Sequence, residues 1–463
     1  MNIRLPIWVS FIGLLVSGCY ETADDLYIET GSEIRENEEL KNETVAQNRW
    51  LYQKMNEQYY WYKNMPDSST LDFSQQAESF FGKLLSPEDR FSWIELNADY
   101  SGEVSLYRHF GLETREYQTA DGSIINRILL VLPGSPAQRA GLRRGDWFTT
   151  GQDMSENLGN NLKLTKGKVS GREFCPERAI DLYAGSANTY TSAVSLDTMY
   201  QIEGHQIGYL FYNEFMDTEG TINNPYKAEL REIFAGFKQK NITDFIIDLR
   251  YNPGGRVSIC QYLCSLILPD EYLGNVSGYH EFNDKLTKEQ YDETGYEEEI
   301  LTFPSKINVA GNNIAMGKIY AIMTENSASA SECLVISLEP FMEVVTIGTT
   351  TYGKGFGSWT IQNNRYKWQM QPIIYRYYNS IHVTVPPTGL IPDIAADESS
   401  IGTYYELGDT REYLLNIALN QITGIRTRSC NAENFGQLSV QKKHPFSRTL
   451  NRRITESENP EEK

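Results

Sequence analysis

Histidine is scarce in this chain. There are five in 463 residues (His109, His205, His280, His382 and His444), and none falls in a motif that carries chemistry. A histidine-based triad is therefore hard to assemble, and the five read as incidental loop or strand residues. Basic residues are also few, 42 Lys and Arg against 61 Asp and Glu, for a formal charge of -19. A chain so acidic is repelled by phosphate backbones, which argues against a nucleic-acid partner. Cysteine is limited to six residues. With Cys19 set aside, Cys175, Cys260, Cys264, Cys333 and Cys430 are odd in number, against a full disulfide framework. Cys260 and Cys264 lie one helical turn apart in an apolar stretch without further ligands nearby, so they read as core and not as a zinc site. No metal or cofactor is expected. Internal repeats are absent as well. The length points to two to four domains, and 40% apolar and 12% aromatic residues are ample for burying their cores.

The longest apolar run near the start, Leu5 to Val16, is too short to span a bilayer, which takes about 20 helical residues. Behind Arg4 it fits the apolar region of an export signal. It ends in Val16-Ser17-Gly18-Cys19, which resembles a bacterial lipobox. That resemblance implies cleavage before Cys19 and lipidation of its thiol; an ordinary signal with a chance cysteine is the alternative. Residues 1–18 are then a signal peptide and 19–35 an acidic tether. The expected location is the cell envelope, anchored by lipid to the outer membrane on its periplasmic or surface face.

The remainder predicts a multidomain α+β chain. Leu40, Val45, Trp50, Leu51, Met55 and Tyr59 recur at helical spacing from Glu36 to Trp61. A second amphipathic piece covers Phe73 to Leu85, giving a helical domain over 36–100. Its run Tyr59-Tyr60-Trp61-Tyr62 is either a recognition surface or a seam against the next domain. Residues 101–196 change to short strands and glycine turns. There Gly134-Ser135-Pro136-Ala137, Ala140-Gly141-Leu142 and Gly145-Asp146 resemble the core signature of PDZ domains, which extend a sheet with a bound peptide strand. In such a domain Phe110-Gly111-Leu112 would receive a peptide carboxylate; a purely structural lid is the other reading. Strands and helices alternate over 197–425, as in an α/β domain with its site at strand ends. Asp270 to Met316 reads as an irregular insertion, and 426–463 as a loose polar tail.

Three segments of this last domain invite chemistry. In Asp248-Leu249-Arg250-Tyr251-Asn252-Pro253-Gly254-Gly255 a buried strand ends in a tight turn where backbone amides can approach a substrate. In Thr324-Glu325-Asn326-Ser327-Ala328-Ser329-Ala330-Ser331-Glu332 a serine stands at a helix start, although Ser329-x-x-Glu332 is equally a capping box. The third, Gly348 to Gly357, holds Lys354 among glycines; Gly355 stands where a phosphate-binding loop needs Ser or Thr.

Together the three resemble the C-terminal processing (tail-specific) peptidases, whose middle serine pairs with a lysine 25 positions on; here those positions are Ser329 and Lys354. Pro387 to Ile394 is similar to that family's closing segment, and the family carries a PDZ domain ahead of its peptidase core. The resemblance implies a crotonase-like core of ββα repeats and a serine endopeptidase acting on protein or peptide substrates through their C-termini. It also implies an oxyanion hole of amides at Gly254 or Gly255 and Ala330. Many members carry a base-orienting glutamine four residues after the lysine; Ser358 holds that position here. A lysine, ordinarily titrating near pH 10.4, can act as a base near neutrality only if its surroundings disfavour the ammonium form by about 4 kcal/mol. Tyr352, Phe356 and Trp359 offer apolar cover, and no acid lies within ten residues of Lys354 in sequence. Two other classes remain open: a catalytically weak, PDZ-bearing binder of peptide tails, and a glycan-binding lipoprotein using its aromatic segments.

Overall fold

Neither proline nor any glycine after Gly31 interrupts the stretch to Gln58, and one helix, α1 (Gly31–Gln58), runs its length. The computed structural model describes residues 31–96, 106–150, 159–185, 192–218, 224–425 and 438–440. Cys19, its signal and the start of the tether, Cys430 and His444 lie outside the described residues. Leu51 and Met55 of α1 pack with Phe80, Phe81 and Leu84 of α2 (Ala77–Leu84). The second helix starts at Ala77 and not at Phe73. Asp67 and Asp72 accept from the amides of Ser69 and Ser74 in tight turns, which compete with helix ahead of it. The aromatic run is a seam: Tyr59 is buried, Tyr60 donates to Glu281, and the Trp61 ring lies 4.9 Å from that of Phe356. The unit ends in β1 (Trp93–Leu96), which joins a sheet of the last domain rather than closing a separate domain.

The PDZ-like domain is an antiparallel meander of β2 (Leu112–Gln118), β3 (Ile124–Val131), β4 (Trp147–Thr150), β5 (Asn161–Ser170) and β6 (Glu173–Tyr183). A short helix, α3 (Pro136–Arg139), is capped by Ser135 and stopped by Gly141 at φ 76°, a conformation glycine adopts without strain.

In the last domain β7 (Val194–Ile202), β8 (His205–Tyr212), β9 (Asp244–Asp248), β12 (Lys318–Met323), β13 (Glu343–Gly348) and β18 (Ile394–Ala395) form one sheet in the order β18-β13-β12-β9-β8-β7. All its pairs are parallel except β7 with β8. Helices α4 (Pro225–Gln239), α5 (Val257–Ile267) and α7 (Ala330–Leu338) cover one face. The other carries α8 (Tyr413–Thr423) with Leu129, Leu130 and Leu132 of the PDZ-like domain. Burial on both faces explains the unbroken apolar run of β9. The segment from Asp270 to Met316 is not irregular. It holds β10 (Val276–Phe282), α6 (Asp284–Thr294) and β11 (Glu299–Thr302), and β10 pairs with β17 (Ile373–Asn379) in a sheet completed by β14 (Phe356–Ser358). Its strands are half exposed, so their polar residues hid them. A three-stranded sheet of β1, β15 (Ile361–Asn363) and β16 (Trp368–Gln371) fastens the helical unit to this face. Finally β19 (Ser439–Val440), in the stretch read as a loose tail, pairs with β2.

Where the two large sheets meet, five charged side chains are buried together. Arg144 of the PDZ-like domain lies 2.8 Å from Glu398 and 3.1 Å from Glu412, while Arg250 reaches Glu412 at 2.7 Å and Asp248 at 2.6 Å. Burial by itself would raise the Glu398 and Glu412 carboxyls, but Arg144 and Arg250 override it and hold both below the usual carboxylate range. Asp248 is pushed the other way, since burial outweighs Arg250 there. Removing one partner strands the rest, so Glu412→Ala should lose about 3–5 kcal/mol in urea unfolding. Depressed carboxyls stabilise the fold above their unfolded pKa, about 4.3, and lose that contribution as pH falls. The wild-type urea midpoint should therefore drop steeply on acidification below about pH 4, and less steeply in Glu412→Ala.

Candidate active site

Strands β9, β12 and β13 lie side by side and in register, with Ile322 opposite Asp248 and Met323 opposite Gly348. All three chemical motifs consequently leave the sheet at the same carboxyl edge, where α/β sheets place ligands. Backbone and hydroxyl bonds stitch the emerging loops together. Ser327 Oγ donates to Leu249 O at 2.7 Å, Ser331 Oγ to Asn252 O at 2.9 Å, and the Tyr352 amide to Ser327 O at 3.1 Å.

Ser329 heads α7 with φ 55° and ψ -118°, a strained conformation for a residue with a side chain. What holds it there is Glu332, one turn on and fully buried. One oxygen of this carboxyl accepts from the amides of Ser329 and Lys354, both at 2.9 Å. The other accepts from the Gly353 amide at 2.7 Å and from the Thr351 hydroxyl. Burial pushes the Glu332 carboxyl up, with the four donors acting in the opposite direction. The amide-binding half of the capping box is thus present, but its carboxyl also spans to the lysine loop. Lys354 has no acid near it in sequence; the fold brings one to its backbone.

Gly254 takes φ 105°, and a Cβ there would stand 2.8 Å from the Ser329 Cβ and 2.7 Å from Ala328 O. The turn therefore packs directly on the serine. Of the two glycines offered as oxyanion donors, Gly254 donates its amide to Asn252 Oδ1 at 2.9 Å. Gly255 lines the cleft with Ser329. Ala330 is the first residue of α7, where an amide has no acceptor a turn earlier in its own helix.

Ser329 and Lys354 open into one cleft, lined also by Val257, Cys333, Phe356 and Tyr377 and by Ser358 and Gln371. Cys333 and Gln371 were not singled out in sequence; a lone cysteine in a helix and a glutamine at a strand end give no signal. Gln371 is nearly buried, with Oε1 accepting from Trp93 Nε1 at 3.1 Å and Nε2 reaching Thr360 Oγ1 at 3.3 Å. Of the expected apolar cover, Phe356 lines the cleft, whereas Trp359 is directed to the seam, donating to Gln58 at 2.9 Å. Phe91, from the helical unit, takes its place with its ring 5.8 Å from the Lys354 ammonium. Beside it Arg90 reaches three carbonyls around the lysine loop, those of Tyr352 (2.8 Å), Gly353 (3.1 Å) and Pro387 (2.8 Å). Nothing local in sequence marks Arg90.

Phe110, Gly111 and Leu112 do not line this cleft. Phe110 and Leu112 are buried in the core of the PDZ-like domain, and the Gly111 amide donates to Tyr107 O at 3.0 Å, closing the turn ahead of β2. The domain touches the site elsewhere, through an ion pair from Arg115 on β2 to Glu325, four residues ahead of Ser329. None of the described histidines lines the cleft.

Comparison with known proteins agrees with this geometry. Peptidase family S41 is matched over residues 206–396 and the peptidase S41 N-terminal domain over 46–93, together just over half of the chain. The carboxyl-terminal-processing protease of Picosynechococcus sp. is 23% identical over 361 residues, 74% of this chain and 75% of that one. The carboxy-terminal-processing protease of Bartonella bacilliformis is 23% identical over 397 residues, 83% and 82% of the two chains. A crystal structure from Bacteroides fragilis, named for the S41 proteases, superposes with a TM-score of 0.69 at 27% identity, covering 82% of this chain and 98% of its own.

The four donors converging on Glu332 make a specific expectation. Glu332→Ala leaves them buried without an acceptor and should cost about 3 kcal/mol or more in urea unfolding, a loss that a control at exposed Glu343 will not show.

Proposed function

Since the chain belongs to peptidase family S41 and is a serine-type peptidase, we propose that Ser329 is its nucleophile and Lys354 the base that activates it. The observation that carries this reading is that Ser329, held in a strained conformation, and Lys354 share one cleft and are tied through the same carboxyl, Glu332. In the proposed sequence Ser329 Oγ attacks the scissile carbonyl while neutral Lys354 takes its proton. The amides of Gly255 and Ala330 receive the oxyanion. Lys354 then protonates the departing amine, and water, giving its proton to the same lysine, releases the acyl group. Either Ser358 or Gln371 orients the lysine from the cleft edge; the buried Gln371 has the longer reach. The apolar walls at Val257, Cys333 and Tyr377 suit an uncharged substrate side chain.

The substrates we propose are envelope proteins or peptides recognised near their C-termini, in keeping with the names of the two processing relatives. Lipidation at Cys19 would hold the enzyme at the outer membrane. A second reading is a catalytically weak binder of peptide tails, favoured by Ser358 in place of the longer glutamine.

Intact-mass analysis of an unfolded substrate with an apolar C-terminus separates the two. Ser329→Ala and Lys354→Ala should each slow cleavage by about 10³-fold or more, and wild-type cleavage should rise with pH as the lysine loses its proton. Equal inertness of all three proteins, with peptide still bound, would leave the binder. Because Arg90 fixes the lysine loop, Arg90→Met should lower kcat about tenfold with little change in KM. Because a single Arg90 nitrogen reaches all three carbonyls, Arg90→Lys, whose ammonium also carries three donors, should restore part of it.

A further inference from the structure

Phe91 and Arg90 reach the lysine loop from a turn, residues 89–92, that belongs to the helical unit. Asp89 closes this turn. Its Oδ1 accepts from the amides of Phe91 at 2.8 Å and Ser92 at 2.9 Å. Its Oδ2 accepts from the Tyr59 hydroxyl at 2.7 Å and from the Ser92 hydroxyl. Four donors fill the capacity of an ionised carboxylate. Burial, and after it the Asp89 charge, push the Tyr59 phenol well up, so it stays a donor. The turn is anchored on two sides. Tyr59 directly follows α1, and Ser92 Oγ accepts at 2.8 Å from the amide of Ile373, the first residue of β17.

What the anchored turn presents is an apolar ring and a cation. The Phe91 ring stands 5.8 Å from the Lys354 ammonium and 5.8 Å from the Tyr352 ring. The Arg90 guanidinium lies over both rings, 4.9 Å from Phe91 and 4.8 Å from Tyr352. A ring face at such a distance attracts an ammonium by only about 0.5–1 kcal/mol. The water it excludes matters more, because desolvation can lower a lysine by ~3 units, each about 1.4 kcal/mol. A second positive charge nearby acts in the same direction. Around Lys354 stand Arg90 of this turn, Glu332 and Cys333 of α7, Tyr352 of its own loop, and Tyr375 and Tyr377 of β17, with Arg376 behind the Phe356 ring. We propose that Asp89 is the positioning residue that keeps Lys354 uncharged near neutral pH, by holding Phe91 over the amine and Arg90 on its loop. The inference rests on the reading of Lys354 as the base.

In the full chain carrying Ser329→Ala, brief pulses of acetic anhydride from about pH 6 to about pH 11 label Lys354, and peptide masses give its half-labelling pH against exposed Lys83. Lys354 should label at lower pH than Lys83. Asp89→Ala and Phe91→Ala should each raise its half-labelling pH by about one unit, and the two together no further than Asp89→Ala alone. The sign is diagnostic, since simple loss of a negative charge near the lysine would lower that pH. With Ser329 restored, the rising limb of kcat should move upward likewise, with kcat near neutrality about tenfold lower and KM little changed. Asp89→Asn keeps an acceptor for the two amides but loses the one for Tyr59 and Ser92. It should give a smaller upward shift, and it carries the test if Asp89→Ala does not fold. Asn48→Ala removes two hydrogen bonds elsewhere in the same unit and should lower the urea midpoint without moving the Lys354 titration. An unmoved or lowered titration in the Asp89 variants, or an equal rise in Asn48→Ala, overturns the inference. If cleavage survives Lys354→Ala, the reading of Lys354 as base is what fails, and the labelling still decides whether Asp89 governs its charge.

Discussion

The Glu332 carboxyl joins three pieces of chain that have no covalent reason to stay together. Its oxygens take the amide of Ser329, the amides of Gly353 and Lys354, and the hydroxyl of Thr351. A charge or a proton buried here without those donors would be costly, so the carboxyl and the loops around it stabilise one another. The strain at Ser329 persists because this arrangement over-determines it. The turn at Gly254 then closes on the serine so tightly that no side chain fits.

Around this centre each of the other units supplies a constraint rather than a reacting group. The helical unit lays Phe91 and Arg90 over the lysine loop. The PDZ-like domain sends Arg144 into a buried charge cluster at the root of the Asn252–Gly255 turn, and Arg115 to the loop before Ser329. The chain after β18 returns Glu398 and Glu412 to balance Arg144 and Arg250. Five charges in a dry space are weak evidence for stability. What they do is tie the PDZ-like domain, through Arg144, to the turn after β9 and to the chain after β18.

The legible parts of the sequence were those governed by local rules. Periodicity revealed α1, an apolar run revealed β9, and glycine and proline placed α3 and the turns of the site. Ser329 and Lys354 were paired through the resemblance, and the structure sets them in one cleft. What escaped depends on contacts between distant residues. Arg90 and Phe91 carry no local mark of their task, and Gln371 meets the site only because β16 pairs with β1. Gly254 and Gly255 were indistinguishable until the Asn252 side chain was seen to take one amide. β10 and β11 hid behind polar residues because half of each strand faces water, and β19 lay in a polar tail.

The order of these pieces along the chain matters for a protein made from its N-terminus. Arg90 is synthesised early, Ser329 and Lys354 much later, and the carbonyl of Pro387, Glu398 and Glu412 only in the last fifth of the polypeptide. An unfinished chain therefore holds Ser329 and Lys354 without the Pro387 contact of Arg90 and an arginine pair without its counter-charges. Completion of synthesis and assembly of the centre therefore coincide, and the lysine loop gains its full set of contacts only when the last part of the chain is in place.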